Sequence, residues 1–329
     1  MIFVTGGTGF LGSYILQELV ARGEQVRALR HASPVPFYLP ASTAEKVEWV
    51  QGDLLDVDGL TENLRGVRRI IHAGGMVSFY PPDKKKLFSL NIDGTANLVN
   101  AAIENGVRDF VYISSVAAMG RDEMTAPMNE EKKWPGNKHQ TNYAISKYLG
   151  EMEVWRGMGE GLDALIVNPA TLLGYGDWNQ SSCGLFKLAY REFPWYMEGT
   201  NGFADVSDTA RAILQLADSG IRNEKFIISA ENRSYLDLFR VLAKGFGKKP
   251  PSQKAGPVIT GFAWRVERLR SVFRGKKPLL TRESAGIASR KNYYDNSKLL
   301  KALPDFRFRP LEDSIFEACG HYLKNLQPV

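Results

Sequence analysis

Short apolar runs alternate with helical patterns through the first half of the chain, and this alternation restricts the fold more than any other feature. The candidate strands are residues 2–5, 25–29, 47–51, 68–73 and 109–114. Between them, segments such as FLGSYILQELVARG and LFSLNIDGTANLVNAAIENG carry an apolar residue every three or four positions and end in glycine. Strands alternating with helices favour parallel pairing through right-handed crossovers. The sequence therefore predicts an α/β fold with a doubly wound parallel sheet.

A glycine-rich turn, TGGTGFLG (5–12), joins the first predicted strand to the first predicted helix. Gly6 permits a tight turn, Gly9 lets the backbone approach a pyrophosphate, and Gly12 lets the helix pack closely on the strand. The amino end of the helix adds N–H groups and a positive dipole. The glycine spacing is not the literal Gly-x-Gly-x-x-Gly, but a strand before it and a helix after it favour a dinucleotide-binding loop.

The regular alternation continues to residue 169 and weakens beyond it. A strand is predicted over 164–169, and the runs FADVSD and KFIIS predict that the chain returns to the sheet between about 203 and 229. The remaining segments contain more proline, aromatic and basic residues. We predict a nucleotide-binding domain of residues 1–170 plus about 203–229, and a smaller substrate-binding domain of 171–202 and 230–329.

Tyr143 and Lys147 stand four residues apart in TNYAISKYLGE (141–151). Four residues of helix advance roughly 6 Å and return to the same face, so the two side chains can cooperate. An ammonium at roughly 6 Å, at an effective dielectric constant of about 20, lowers the pKa of a phenol by about two units. This spacing is common in helices, so the pair supports a catalytic role only together with the other motifs of the chain.

These motifs occur together with GDL (52–54), IIHAGG (70–75), NIDGT (91–95), YISSVAAMG (112–120), YAISK (143–147) and VNPATLLG (167–174). In this order they resemble the extended short-chain dehydrogenases/reductases, also called the NAD-dependent epimerase/dehydratase family. The resemblance implies a Rossmann-type sheet with a C-terminal substrate domain, and a homodimer. It also implies catalysis by Tyr143 as the proton-transfer residue, Ser115 as the group that orients the substrate oxygen, and Lys147. Ser114 is the reserve candidate for Ser115.

The resemblance further assigns cofactor contacts to Lys147, to Asp53 at the adenine, and to residues along the dinucleotide. The remaining residues of this set are Gly6, Thr8, Gly9, Phe10, Leu11, Gly12, Leu54, Ala73, Gly74 and Pro169. His72 and Asn91 are interpreted mainly as structural residues.

The end of the second predicted strand bears on the choice between the two nicotinamide cofactors. An NAD site usually presents a carboxylate there, whereas VRALRHAS places Arg30 and His31 at this point. A guanidinium can pair with a 2′-phosphate in bidentate geometry. The sequence favours NADP(H), with NAD(H) as the alternative.

The composition indicates which class of protein the chain belongs to. Hydrophobic residues make up 44% of the 329 residues and charged residues 24%, which is typical of a globular chain. The first apolar run begins at Met1 and no run reaches membrane-spanning length, so we expect a soluble, cytoplasmic protein. Cys183 and Cys319 lack metal-ligand spacing and cannot build a disulfide framework, so we predict no metal site and a reducing compartment.

The net charge of +6 gathers in the last third of the chain. No nucleic-acid-binding motif accompanies it, so we expect a solvated basic face or an anionic small-molecule substrate and no nucleic-acid partner. The segment VITGFAWRVERLRSVFRG (258–275) has the pattern of a basic amphipathic helix. We favour packing against its own domain over binding to a membrane surface.

The reaction class remains open within the family. A dehydratase of this family follows its serine with Asp-Glu, but here Val116 and Ala117 occupy those places. An epimerase acting on a nucleoside-diphosphate sugar, with tightly bound NAD, needs only the same catalytic residues. Such enzymes commonly carry an arginine before the strand that corresponds to FADVSD, where this chain reads GTNG, although Lys276 or Arg282 can substitute for it.

The segments VSFYPPDKKKLFSLNIDGT and PLLTRESAGIASRKNYYDNSKL resemble the dihydroflavonol-reductase and 3β-hydroxysteroid-dehydrogenase branch. The sequence therefore favours an NADP(H)-dependent oxidoreductase that interconverts a ketone and a secondary alcohol on a bulky small molecule. The alternatives are the epimerase and a non-catalytic cofactor-sensing protein. Aromatic residues of the second domain suit such a ligand but are more often core: Phe186, Trp195, Tyr196, Phe262 and Trp264.

Overall fold

A computed structural model describes residues 1–120, 127–136, 138–256, 286 and 288–325 of the chain. Within these residues, seven parallel strands form a central sheet in the order β10-β6-β5-β4-β1-β2-β3. Its strands are β1 (Ile2–Thr5), β2 (Val26–Arg30), β3 (Val47–Gln51), β4 (Arg69–His72), β5 (Asp109–Ile113), β6 (Asp163–Pro169) and β10 (Glu224–Ile228). The predicted doubly wound parallel sheet is confirmed.

Helices cover both faces of the sheet, as the apolar residues on both sides of the central strands require. In chain order, the helices of the described residues are α1 (Phe10–Ala21), α2 (Ala41–Ala44), α3 (Val57–Asn63), α4 (Lys84–Phe88), α5 (Gly94–Glu104), α6 (Asn142–Gly159), α7 (Gly184–Tyr190), α8 (Val206–Asp218), α9 (Tyr235–Phe246), α10 (Ser297–Ala302) and α11 (Leu311–Asn325). One face packs against α1 and α8, and the other against α3, α5 and α6.

The predicted strand boundaries agree with the structure to within about one residue, but the return to the sheet near residue 203 takes a different form. Strand β10 joins the central sheet, as predicted, and it pairs there with β6. The FAD of FADVSD instead lies in β9 (Thr200–Asp205), which pairs with β7 (Thr171–Leu173) and β11 (Glu231–Ser234) in a separate three-stranded sheet. An apolar run indicates a buried strand and does not specify its partner, which is why the sequence misplaced β9.

A second apolar cluster joins this smaller sheet to α7, α9 and α11. Phe186 is fully buried in it, so the interpretation of Phe186 as a core residue is confirmed. Trp195 and Tyr196 form β8 (Trp195–Tyr196), a half-buried strand paired with β12 (Gln253–Lys254). Phe262, Trp264, Lys276, Arg282 and the segment 258–275 lie outside the described residues. The division into two domains stays a prediction.

None of the helices within the described ranges is long and apolar enough to cross a membrane.

A partly buried arginine ties the sheet to its helical layer at the amino end of the strands. Arg69, at the start of β4 with 7% of its side chain exposed, contacts Asp109 of β5 at 2.7 Å and Asp218 of α8 at 2.6 Å. Its Nη2 also donates to the carbonyl of Ala217 at 2.8 Å. All three guanidinium nitrogens of Arg69 therefore donate within the protein, and they fix α8 against the two central strands.

Replacing Arg69 with Met should lower the free energy of unfolding by about 3 kcal/mol, because Asp109 and Asp218 lose their shared cation in a partly buried place. The matched control is its neighbour Arg68, whose ion pair with Glu24 is more exposed. Arg68→Met should lower the free energy of unfolding by less than about 1 kcal/mol. Urea unfolding measures both values, and equal costs for the two variants would contradict this role of Arg69.

Candidate active site

The strand order reverses between β1 and β4, and the glycine-rich turn lies at this point, beside the carboxyl ends of the strands. Gly6 adopts a φ of +74°, a left-handed conformation that favours glycine. A Cβ on Gly6 would lie 2.5 Å from the carbonyl of Ala73, in the segment that follows β4. In a doubly wound sheet this crevice is where ligands bind.

Gly12 marks a second close contact of the turn. A Cβ there would lie 2.0 Å from the carbonyl oxygen of Gly6, so no other residue fits without moving the turn. The sequence predicted that Gly12 packs on the strand, whereas the nearest backbone is that of the turn itself. The Gly9 N–H donates to the same Gly6 carbonyl at 2.8 Å and closes the turn.

The amino end of α1 fits a pyrophosphate. Gly9 is the N-cap residue in an extended conformation, and no side chain caps the helix. The N–H groups of Phe10, Leu11 and Gly12 therefore belong to a first helical turn that has no carbonyl before it to bind. Together with the helix dipole, such groups form an anion site, so the turn suits the dinucleotide that the sequence predicts. Thr8, half-buried, lies on the same turn.

The segment that follows β4 forms the opposite wall. The Gly74 N–H donates to Thr5 Oγ1 at 3.0 Å, and the Ala73 N–H donates to the Thr5 carbonyl at 3.1 Å. A Cβ on Gly74 would meet Thr5 and, at 3.2 Å, the side chain of Leu54. The structure thus places Leu54, Ala73 and Gly74 together beside the glycine turn, as a shared cofactor site requires.

His72 is fully buried beneath this wall and belongs to a hydrogen-bonded chain. Its Nδ1 lies 2.6 Å from Thr5 Oγ1, and its Nε2 lies 3.1 Å from Thr95 Oγ1. Because Thr95 donates to the carbonyl of Asn91 and Thr5 accepts from Gly74, the neutral tautomer with a proton on Nε2 satisfies every member. Burial, aided by the nearby Lys147 charge, lowers the pKa of His72 to about 3. This uncharged role agrees with the structural interpretation.

Asn91 lies in a π-helical segment, Ser89–Asp93, that leads into α5. Its amide accepts from the Met76 N–H at 2.7 Å, donates to the Met76 carbonyl at 3.0 Å, and donates to Ser146 Oγ at 2.9 Å. Both amide atoms therefore hold the segment after β4 against α6. Asn91 is a structural bridge between the two walls of the site.

The three predicted catalytic residues meet at the carboxyl end of β5. Thr141 caps α6 by accepting from the Ala144 N–H at 3.0 Å, and this cap sets the helical turn that carries Tyr143 and Lys147. Ser115 follows β5 and accepts from the Ala117 N–H at 3.1 Å. Its hydroxyl also interacts with Tyr143 closely enough to lower the pKa of the phenol.

The expected effect of Lys147 on Tyr143 is corrected by the structure. Burial raises the pKa of Tyr143 above its ordinary value, and this effect exceeds the opposing effect of Ser115. Lys147 donates to the Ile113 carbonyl at 2.8 Å, and its Nζ lies 4.5 Å from the centre of the Tyr112 ring. Burial lowers the pKa of Lys147 to about 8. The sequence-based prediction of the Tyr143 pKa treated Tyr143 and Lys147 as partly solvated, and it ignored the cost of burying their charges.

The two serines after β5 point to different partners. Ser114 is buried and donates to the carboxylate of Glu151 at 2.6 Å, behind the site. Ser115 is half-buried on the side of Tyr143. Consecutive side chains of an extended segment face opposite ways, so only Ser115 shares a face with the phenol.

Residues at the end of β2 lie around the predicted ribose position. The His31 imidazole Nε2 is 3.3 Å from Asp53 Oδ2, and the side chain of His31 is exposed whereas that of Asp53 is half-buried. Asp53 Oδ1 accepts from the Leu55 N–H at 3.0 Å. The half-buried Arg30 side chain has no ion pair or hydrogen bond within the part of the chain that the structure describes. Arg27 is bound to Glu48 and to the Asn63 carbonyl.

Two further residues lie at the site and were missed as candidates. Phe79 places its ring 5.7 Å from that of Tyr143 in an edge-to-face contact. Glu151 is a buried carboxyl group one helical turn after Lys147. The sequence carries a signal for Glu151, since YAISKYLGE repeats the four-residue spacing from tyrosine to lysine to glutamate.

Pro169, which the sequence assigned to the cofactor site, is buried at the end of β6, next to Asn168.

A family model described as the NAD dependent epimerase/dehydratase family matches residues 2–229. A "Putative dihydroflavonol 4-reductase" of Synechocystis sp. is 31% identical over 92% of this chain and 88% of its own length. A "3 beta-hydroxysteroid dehydrogenase/Delta 5→4-isomerase" of Mycobacterium tuberculosis is 25% identical over 98% of this chain and 90% of its own length.

Among solved structures, a UDP-glucose 4-epimerase of Thermotoga maritima with UDP-glucose superposes with a TM-score of 0.79. It covers 99% of each chain at 20% identity, so this likeness concerns the fold alone.

Proposed function

The chain belongs to the NAD-dependent epimerase/dehydratase family, and we propose that it is an NADP(H)-dependent reductase for a ketone on a bulky, largely apolar small molecule. It is an NAD(P)-dependent enzyme of the extended short-chain dehydrogenase/reductase type, which covers both oxidoreductases and epimerases. The specific reaction, substrate class and cofactor preference are the proposal.

The contact between Phe79 and Tyr143 carries the proposal. The ring of Phe79 packs edge-on against the phenol at 5.7 Å, so an apolar surface borders the proton donor directly. Val77, 56% exposed, lies in the same segment two residues earlier. An aromatic or alicyclic ketone gains from covering such a surface, whereas a hydroxyl-rich sugar loses hydrogen bonds to water there.

The side chains of the site supply the acid chemistry that ketone reduction needs. Because burial raises the pKa of Tyr143, the phenol stays protonated through the neutral range and can donate its proton to the developing alkoxide. The Ser115 hydroxyl orients the substrate oxygen beside it. Bound nicotinamide supplies the hydride. Lys147, one turn further along α6, donates to the Ile113 carbonyl at the carboxyl end of β5, and its ammonium keeps further N–H donors for the ribose.

The rival reactions receive less support from the same residues. Val116 and Ala117, which follow Ser115, lie in a short 3₁₀ turn and cannot act as the acid and base of a dehydratase. For a nucleotide-sugar epimerase, the place of the diphosphate-binding arginine is taken by Thr200 and Asn201, both buried in β9. Asn201 donates to Thr171 Oγ1 at 2.8 Å and is engaged within the protein.

The preference for NADP(H) rests on Arg30, the last residue of β2, which lies where the ribose is expected and whose guanidinium has no partner in the described ranges. The carboxylate nearby, Asp53, is paired with His31.

Substituting Tyr143 with Phe should remove the proton donor and lower kcat for ketone reduction by about 10²- to 10⁴-fold, with NADPH affinity unchanged. The matched control is Tyr148→Phe on the same helix, whose ring stacks on Trp134 at 4.2 Å and keeps that contact without its hydroxyl. Turnover is measured with the better of a dihydroflavonol and a 3-ketosteroid. Substantial activity in Tyr143→Phe would remove Tyr143 from the mechanism.

Arg30→Ala should weaken NADPH binding by about 10- to 100-fold and leave NADH binding nearly unchanged, since only the 2′-phosphate loses a charged hydrogen bond. Arg27→Ala is the control, because Arg27 is held by Glu48 and by the Asn63 carbonyl. Fluorescence titration of each variant with both cofactors gives the ratio of the dissociation constants for NADPH and NADH. A wild-type protein that binds NADH more tightly than NADPH would contradict the cofactor assignment.

A further inference from the structure

Glu151 is a buried carboxyl group that the proposed chemistry does not use. It lies on α6 one turn beyond Lys147 and is 2% exposed. Its Oε1 accepts from Ser114 Oγ at 2.6 Å and from Asn168 Nδ2 at 2.5 Å. A carboxyl group this deep in a protein is costly unless it is bonded and balanced by charge. A buried carboxyl group directly behind the catalytic residues therefore needs a structural or electrostatic explanation.

The hydrogen bonds of Glu151 connect the three elements that form the site. Ser114 directly follows β5, and Asn168 is the penultimate residue of β6. Asn168 Nδ2 also donates to the carbonyl of Ser115 at 3.0 Å. The carboxyl group of α6 therefore fixes the backbone of Ser115 through Asn168, and it holds Asn168 beside Pro169.

The charged and titratable groups around this pair come from every element packed against it. His72 of β4, Tyr112 of β5 and Tyr143 of α6 face the region of Lys147 and carry no charge at neutral pH. From β10, the charge of Lys225 acts on Glu151. Burial dominates and lowers the pKa of Lys147, and the negative charge of Glu151 opposes it.

We propose that Glu151 is a positioning residue of the active site, whose buried carboxylate holds Ser115 and Asn168 in place and keeps the Lys147 ammonium charged in neutral solution. The inference rests on the proposed function, because it assumes that Lys147 acts in catalysis as a cation. Lys147 and Glu151 form no ion pair within 4 Å among the described contacts, so the carboxylate acts through space across one helical turn.

The test follows the ionisation of Lys147 directly, in protein labelled with ¹³C and ¹⁵N in its lysine side chains. The Lys147 signal is assigned by its loss in Lys147→Met. In the wild-type protein the midpoint should lie near 8. In Glu151→Gln, which keeps the shape and loses the charge, the midpoint should fall by about one pH unit or more.

The matched control is Glu153→Gln on the same helix. Glu153 contacts Arg156 at the surface, so its loss should leave the Lys147 midpoint unchanged. An unchanged midpoint in folded Glu151→Gln would overturn the proposal, since a merely structural role does not depend on charge. A shift in Glu153→Gln equal to that in Glu151→Gln would also overturn it.

The wild-type protein decides the question if Glu151→Gln does not fold. Burial raises the pKa of Glu151, so the Lys147 signal should show a second, smaller inflection, above that of His72, as Glu151 gains its proton. A single alkaline inflection would contradict the proposal.

A failure of the proposed function gives a different result. If Lys147→Met reduced the ketone at the wild-type rate, Lys147 would have no catalytic role, whatever midpoint the resonance of Lys147 shows in Glu151→Gln.

Discussion

The close approach of two backbone segments at the strand-order reversal determines where the rest of the site can lie. Gly6 and Gly12 bring the turn after β1 against itself and against Ala73, with room for no side chain at either position. This contact leaves the amino end of α1 open beside the segment after β4. Every other element of the site, from the ribose end at β2 to the phenol on α6, is arranged around that opening.

Beneath this opening lies a layer of buried polar groups that replaces apolar packing. Thr5, His72, Thr95 and Asn91 form one hydrogen-bonded chain from the glycine turn to the start of α5. Glu151 forms a second group with Ser114 and Asn168 under the catalytic residues. Buried polar groups fix geometry because each has few acceptable partners. The site is thus held by directional bonds where an apolar core would tolerate small displacements.

The sequence predicted the sheet well because apolar periodicity and glycine turns are local properties. It placed six strands of the central sheet to within about one residue, and it chose Ser115 over Ser114, which the structure turns toward Glu151. It misplaced β9, because the periodicity of a strand does not specify which strand it pairs with. It also predicted the wrong direction for the pKa of Tyr143, because burial is a tertiary property. Glu151 was missed because a glutamate in a helix usually faces solvent.

A single turnover with NADPH deuterated at the transferring position of nicotinamide C4 distinguishes a reductase from an epimerase by the fate of the deuterium. A dihydroflavonol and a 3-ketosteroid serve as substrates, and UDP-glucose serves as the comparison. We expect deuterium on the carbinol carbon of a released alcohol, with one equivalent of oxidised cofactor leaving the protein. An epimerised nucleotide sugar, formed from UDP-glucose by oxidised cofactor that stays bound to the protein and with no net oxidation, would contradict the reductase proposal.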